Sequence, residues 1–267
     1  VYPVSGNGVW QDRIDKLKQR ISLFNGKRVV AILYENSNGS PWPTGACWPN
    51  TTCYRHSGAV DPPDMVEERL SGLGFTVFKI KNDPNRREVA TFGPLFNAVC
   101  GYKGFTDATI YAHAKGVTRN PQHTAHRWTD LLYESMMDYW PVVEDLLTVC
   151  PVAGSFLKAG HGWADRDSKS AWHYSGSWFW FRNIALFNLP DWHKIDQFWS
   201  GIEPYPSLHF PIQQAGVVFH QGVVPNLNMY SHEYIDRVVM PEWEQWKQLN
   251  SQNRTDTGSY AAWCPTI

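Results

Sequence analysis

Residues 9–24, VWQDRIDKLKQRISLF, place Trp10, Ile14, Leu17, Ile21 and Phe24 at helical spacing with charges between them, which predicts an amphipathic helix. Asn25-Gly26 is a stop signal for it. The next segment, RVVAILYEN (28–36), is a continuous apolar run of strand length, the pattern of a strand covered on both faces. Periodicity then vanishes: residues 36–63 are dense in Ser, Gly, Pro, Asn and Trp and read as a long surface loop. A helix over 63–73, a strand FTVFKI at 75–80, a helix near 87–100 and a strand near 108–112 follow. Trp128 to Leu147 reads as helix, with Pro141 breaking or restarting it. Residues 151–157 form a short strand, and WHYSGSWFWFRN (172–183) is strand or strand-turn. Loops dominate after 201, with one helix near 231–248. The alternation predicts an α/β fold with a mostly parallel central sheet flanked by helices, and 267 residues fit a single domain. Ligands of such sheets bind beyond the carboxyl ends of the strands.

Composition narrows the function classes. Net charge is −1, so no basic field favours nucleic acid or an anionic membrane. No stretch approaches eighteen apolar residues, so no membrane span is expected. Charged residues are only 18%, below the usual quarter, while aromatics reach 15% with fourteen Trp. Flat amphipathic rings are common where a protein meets a ligand, sugar faces included, and the competing reading is an aromatic core. Cys47 and Cys53 share one loop and are a candidate disulfide, whereas Cys100 and Cys150 sit in apolar contexts and read as core thiols. Sequons occur at Asn38, Asn50 and Asn253. The compartment stays open: cytoplasmic, or luminal if a removed signal or anchor preceded Val1.

No GxGxxG, Walker A or GxSxG motif occurs, and His123 and His126 at i, i+3 are at most half a metal site. Three other segments carry candidate chemistry. In YAHAKGVTR (111–119), at a predicted strand end, Lys115 and Arg119 are cations for a diphosphate, Gly116 lets backbone approach, and His113 is a ligand for metal, phosphate or sugar. In HGWADRDSKSAWHYSGSWFWFR (161–182), Ser175, Gly176 and Ser177 interrupt a wall of aromatics, as if to leave room. Trp163, Trp172, Trp178 and Trp180 offer stacking platforms beside His173, and Asp165-Arg166-Asp167 reads as D-x-D, a pattern able to share a divalent cation. In FWSGIEPYPSLHF (198–210), Glu203 lies in a turn among aromatics, where a carboxylate usually has a task such as general base.

The pieces Glu88, Thr91-Phe92, Tyr111-Ala112-His113-Ala114-Lys115-Gly116, Trp128, His173-Tyr174-Ser175-Gly176-Ser177-Trp178-Phe179-Trp180 and Gly201-Ile202-Glu203 occur in an order that resembles a group of GT-A-type glycosyltransferases found in bacteria and large viruses. The likeness covers roughly residues 74–230, and the family's H-F-S-G-N-F-W-W differs here at Tyr174, Ser177, Trp178 and Phe179. The resemblance implies a GT-A-like transferase that takes a nucleotide-diphospho-sugar donor and a glycan or glycoconjugate acceptor, with Mn²⁺ or Mg²⁺ as optional cofactor. It implies a nucleotide-binding half over 26–150, an acceptor half over 151–248 and a tail over 249–267. Tyr34, His113, Lys115, Gly116 and Arg119 are then donor-binding. Trp163, Trp172, His173, Ser175, Gly176, Ser177, Trp178 and Trp180 face sugar or acceptor. Glu203 is the leading catalytic base, with Asp165 and Asp167 next; His113, Asp165 and Asp167 are the metal candidates. The rival readings are a carbohydrate-binding or inactive GT-A-like protein, and a glycoside hydrolase using Glu35, Asp165 or Glu203.

Overall fold

The computed structural model describes residues 1, 3, 8–34, 60–83, 85–117, 119, 122–159, 172–198, 200–223 and 228–252. Residues 36–59 of the long loop, all three sequons, Cys47, Cys53, Cys264, Glu35, Trp163, Asp165 and Asp167 lie outside these residues. The fold is mixed α/β and divides into two compact units, one of Val1–Gly101, Ala114–His123 and Gln197–Trp199, the other of Tyr102–His113, Thr124–Asp196 and Ser200–Ile267.

The first unit opens with α1 (Val9–Gln19) and a 3₁₀ turn (Ile21–Leu23), then β1 (Arg28–Tyr34), α2 (Pro63–Leu70), β2 (Phe75–Lys81) and α3 (Val89–Asn97). β1 and β2 pair in parallel, from Arg28 opposite Phe75 to Tyr34 opposite Lys81. Pro63 opens α2 with φ preset for a helix and no N–H to lose. Val66 and Leu70, one turn apart, bury the inner face of α2. They join Val9, Trp10, Ile14, Ile32 and Val117 in one core. Ala31, Ile32 and Leu33 are buried in succession, which is the two-faced burial their apolar run predicted. Arg28 ties the unit together, donating to the carbonyls of Leu73 and Phe24 at 2.8 and 2.5 Å.

The second unit contains β3 (Ala108–Tyr111), α4 (Ala125–Tyr133), α5 (Trp140–Val149), β4 (Val152–Gly154), β5 (Leu157–Ala159), β6 (Trp172–Tyr174) and β7 (Phe179–Arg182). Then come α6 (Asn183–Phe187), α7 (Tyr205–His209), β8 (Ala215–Val217), β9 (Gln221–Val223), α8 (His232–Tyr234) and α9 (Met240–Gln252). The predicted helix 128–147 breaks near the expected place. A π turn (Glu134–Asp138) ends α4, and α5 restarts at Trp140 with Pro141 in its first turn. Proline has no N–H for the carbonyl four residues back and its ring collides with it, so the ladder cannot run through.

The single mostly parallel sheet expected from the alternation is not what forms. Among the described residues the strands make a β1-β2 pair, a four-stranded sheet in the order β3-β7-β4-β8, and a three-stranded sheet in the order β6-β5-β9. β7 is antiparallel to both β3 and β4, and β4 is parallel to β8. β3, β4 and β8 therefore share one direction. The crossover through α4 and α5 sets β3 and β4 parallel but leaves one strand's width between them. β7, arriving from β6 by a short turn, fills that width from the opposite direction. A local β-α-β pattern carries no trace of an inserted strand from later in the chain.

Apart from β3, the two sheets are stretches of the same three strands. β4 continues into β5, β8 into β9, and β6 into β7. At each joint one non-glycine residue has left-handed backbone: Phe156 (φ 59°), His220 (φ 55°) and Ser177 (φ 56°). Hydrogen bonds from Phe156 N–H to the Phe219 carbonyl (2.8 Å), Ser175 N–H to Phe156 (3.0 Å) and Val218 N–H to Gly154 (2.9 Å) carry the pairing across the break.

One expectation about the cysteines is revised, and one glycine not singled out in the sequence proves to be required. Cys150 is not a core thiol: it is disulfide-bonded, to a partner outside the described residues, while Cys100 is free. Gly154 is required by packing, since a Cβ there would lie 2.6 Å from the Tyr174 ring. That ring is held by its hydroxyl, which donates to the Gly216 carbonyl at 2.8 Å. Gly154→Ala is therefore expected to destabilise the protein by about 1–3 kcal/mol, whereas Gly101→Ala, which meets nothing within 4 Å, stays near neutral. Chemical denaturation of the two variants checks this, and equal stabilities refute it.

Candidate functional site

At one level of the four-stranded sheet, Tyr111 and Gly154 both stand opposite Phe179, and Gly154 opposite Val217. Beyond that level lie the carboxyl ends of β3, β4 and β8, the kind of edge where open α/β sheets take ligands, although here β4 and β8 continue past it into β5 and β9. His113 follows β3 there, Ser155 and Phe156 follow β4, Val218 to His220 follow β8, and Ser175 to Trp178 lead into β7. All three joints fall at this edge. Left-handed non-glycine backbone costs about 1–3 kcal/mol per residue and gathers at functional sites.

Two hydrogen bonds draw the three sequence segments together in this unit. The Trp178 indole N–H donates to the His113 carbonyl at 2.9 Å. The Gly176 N–H donates to Glu203 Oε1 at 2.7 Å. Glu203 is presented by a tight turn in which its own N–H meets the Ser200 carbonyl at 3.1 Å. Ile202, fully buried, anchors that turn, and Glu203 itself is half-buried. The result is a carboxylate fixed against the backbone of the Ser-Gly-Ser turn. One of its oxygens is engaged by an amide, and its position is set by packing rather than by a flexible loop.

The aromatic wall differs from the expectation. Trp172, Trp178 and Trp180 are only 1, 2 and 4% exposed. Their indole N–H groups donate to backbone carbonyls of Phe210 (3.1 Å), His113 (2.9 Å) and Met136 (2.9 Å). Trp178 packs edge-on to Tyr133, and Trp180 against Trp140. These rings are core, not open stacking platforms. A buried indole needs an acceptor, and the carbonyls of irregular segments and of the π turn supply it. The room expected at Gly176 is likewise filled from within. A Cβ there would meet Leu132 at 3.0 Å and Trp128 at 3.1 Å, and φ is 103°. Ser175 and Ser177 are buried too. Burial holds the Tyr174 hydroxyl far above the ordinary phenol range, so it stays a neutral donor.

The other donor-site candidates belong to the first unit. Tyr34 ends β1, and its carbonyl accepts the Asn82 N–H at 2.8 Å. Lys115 and Gly116 start the turn that leads to Val117 in that unit's core, with Gly116 at φ 80°. The Arg119 N–H closes onto the Gly116 carbonyl at 2.8 Å. Arg119 also stands near Arg87, whose guanidinium is held below the ordinary arginine range by burial first, then by Arg119, with Glu88 opposing. The YAHAKGV segment thus changes units within itself: His113 belongs to the second, Lys115 to the first. Among the described residues no group of three or more His, Cys, Asp and Glu converges as a metal site. The candidates Trp163, Asp165 and Asp167 fall outside those residues.

Sequence reasoning missed Lys158, a buried lysine in β5, and His220. The imidazole of His220 lies 2.5 Å from Glu242 and 3.0 Å from the Tyr234 hydroxyl. The available signal for Lys158 was one charged residue in an otherwise apolar SFLKA run. Glu203→Ala removes the acceptor for Gly176 and is expected to cost about 1–3 kcal/mol, while Glu203→Gln, which keeps a side-chain oxygen, retains most of the stability. Thermal and urea unfolding measure the difference; two variants of equal stability would remove the structural role given to the carboxylate.

Comparison with family models, with curated proteins and with solved structures finds no match to the chain.

Proposed function

We propose that the chain is a glycosyltransferase of GT-A type, moving a sugar from a nucleotide-diphospho-sugar donor to a hydroxyl of a glycan or glycoconjugate. The observation that carries this reading is the Gly176–Glu203 hydrogen bond. It joins two of the three motif segments at the carboxyl edge of β3, β4 and β8, and the Trp178–His113 bond adds the third. Further support comes from the parallel β1-α2-β2 unit, the kind of element that binds nucleotides beyond its strand ends, where Tyr34 stands. Three of the four strands in the larger sheet also share one direction, which supports the α/β part of this reading, and within that sheet the parallel neighbours are β4 and β8.

Cleavage of the donor's anomeric C–O bond leaves negative charge on the departing diphosphate. Lys115 and Arg119 are the residues of this chain assigned to stabilise it. A divalent cation, if bound, supplies the same charge stabilisation. If the reaction inverts, the acceptor hydroxyl loses its proton to Glu203 as it attacks. An amide on one oxygen of Glu203 orients the carboxylate and leaves the second oxygen to take that proton.

A second reading is an inactive GT-A-like relative, favoured by the structural use of Glu203 Oε1. The carbohydrate-binding reading loses its support among the described segment-two tryptophans, because all three are buried.

The deciding measurement is thermal shift against a panel of nucleoside diphosphates, with and without Mn²⁺. Stabilisation by at least one nucleotide is expected, and silence across the panel rejects the transferase. Lys115→Ala is expected to weaken nucleotide binding by about 10–100-fold, the worth of one charged hydrogen bond. Glu203→Gln is expected to lower turnover by about 10²–10⁴-fold with donor affinity unchanged.

A further inference from the structure

Lys158 lies on β5 and is 8% exposed. Its side chain makes no ion pair and no hydrogen bond among the described residues. Every other buried cation in the described chain is tied: Arg13, 3% exposed, pairs with Asp12 at 3.0 Å. A buried lysine whose ammonium has no counter-charge is a cation held in place for an anion to meet.

The strand register says what stands around it. Lys158 is directly opposite His173 on β6, so the two side chains share a face of the small sheet. His173 is 3% exposed. On the other side Lys158 is opposite Gly222 of β9, which brings no side chain to that level. The neighbouring pairs, Leu157 with Tyr174 and Ala159 with Trp172, face the other way. On that opposite face Tyr174 and Trp172 reach the carbonyls of Gly216 and Phe210. One face of β6-β5-β9 therefore carries a cation and an imidazole side by side. Lys158 Nζ is not among the partnerless polar atoms sealed from solvent, so the exposure the residue keeps reaches its ammonium.

We propose that Lys158 and His173 form a binding site for a small oxyanion of the phosphate class. The ammonium supplies the charge and the imidazole a hydrogen bond from one ring nitrogen. A compact, strongly hydrated ammonium suits a phosphate as a point charge. The site shares His173 with the acceptor-facing residues of the transferase reading but does not depend on a nucleotide donor.

The test uses the whole chain and its Lys158→Met variant, which keeps the length and volume but not the charge. Thermal shift is read with inorganic pyrophosphate, inorganic phosphate and glucuronate, the last separating a carboxylate from a phosphate source. Wild type is expected to gain several degrees with pyrophosphate or phosphate and little with glucuronate. Lys158→Met is expected to be more heat-stable than wild type without anion, by about 2–4 °C on the scaling for a domain this size, and to ignore all three. A pyrophosphate response that survives in Lys158→Met overturns the site, as does a wild type that responds to none of the anions or to glucuronate alone. If Lys158→Met does not fold, NMR of the wild-type lysine Cε–Hε groups during a pyrophosphate titration decides: a saturable shift at Lys158 is expected, and its absence overturns the proposal. Nucleotide binding by a wild type that ignores pyrophosphate and phosphate keeps the transferase and removes this site; a wild-type pyrophosphate response lost in Lys158→Met, with silence across the nucleotides, does the reverse.

Discussion

Three strands bend at the same level, and most of the second unit follows from how that bend is held. An ordinary L-residue resists left-handed backbone at about 1–2 kcal/mol, yet Phe156, Ser177 and His220 all adopt it. The surroundings over-determine each one. Phe156 is sealed against Trp128 and Phe219, Ser177 is fixed between Tyr174 and Trp178, and His220 is clasped by Glu242 and Tyr234. Because the backbone bonds pass from strand to strand through the joint, no strand can straighten alone. The Ser-Gly-Ser turn, Glu203 and the Lys158–His173 face inherit their positions from this shared bend.

The aromatic excess serves the same purpose. Irregular segments leave carbonyls without ladder partners, and a buried carbonyl must find a donor. Indole and phenol groups reach across the core to supply them. Trp172 serves Phe210, Trp178 serves His113, Trp180 serves Met136 in the π turn, and Tyr205 serves Trp192 at 2.5 Å. Each ring fills volume with its body and satisfies loop backbone with its tip. A Phe in any of these places would pack but strand a carbonyl.

Elements set by local period were legible from the chain alone. α1, α2, β1 and β2 fall where spacing and punctuation place them, because a helix face or an apolar run depends on near neighbours. Sheet order was not legible, since β7 pairs with residues some 70 and 30 positions earlier and no local pattern encodes that choice. The tryptophans were misread for a related reason: composition counts rings but is silent on which carbonyls need their N–H groups. Glu203 was legible because a carboxylate among aromatics demands a partner, and the partner is the Gly176 amide. Gly176 was read as space for a ligand, whereas its space is taken by Trp128 and Leu132. Lys158 escaped notice because one residue in a three-residue strand has no period at all.

The bond at Cys150 adds a chemical condition to this architecture. Cys150 caps α5, its N–H meeting the Leu146 carbonyl at 2.8 Å, and β4 begins two residues later. The helix that spans from β3 to β4 is therefore covalently anchored at the point where it hands over to the central strand. Forming that anchor consumes two thiols and releases two electrons, so the folded state is coupled to the redox poise around it. Where glutathione keeps thiols reduced, the same chain would hold the α5–β4 junction by packing alone, without a cross-link usually worth about 2–4 kcal/mol.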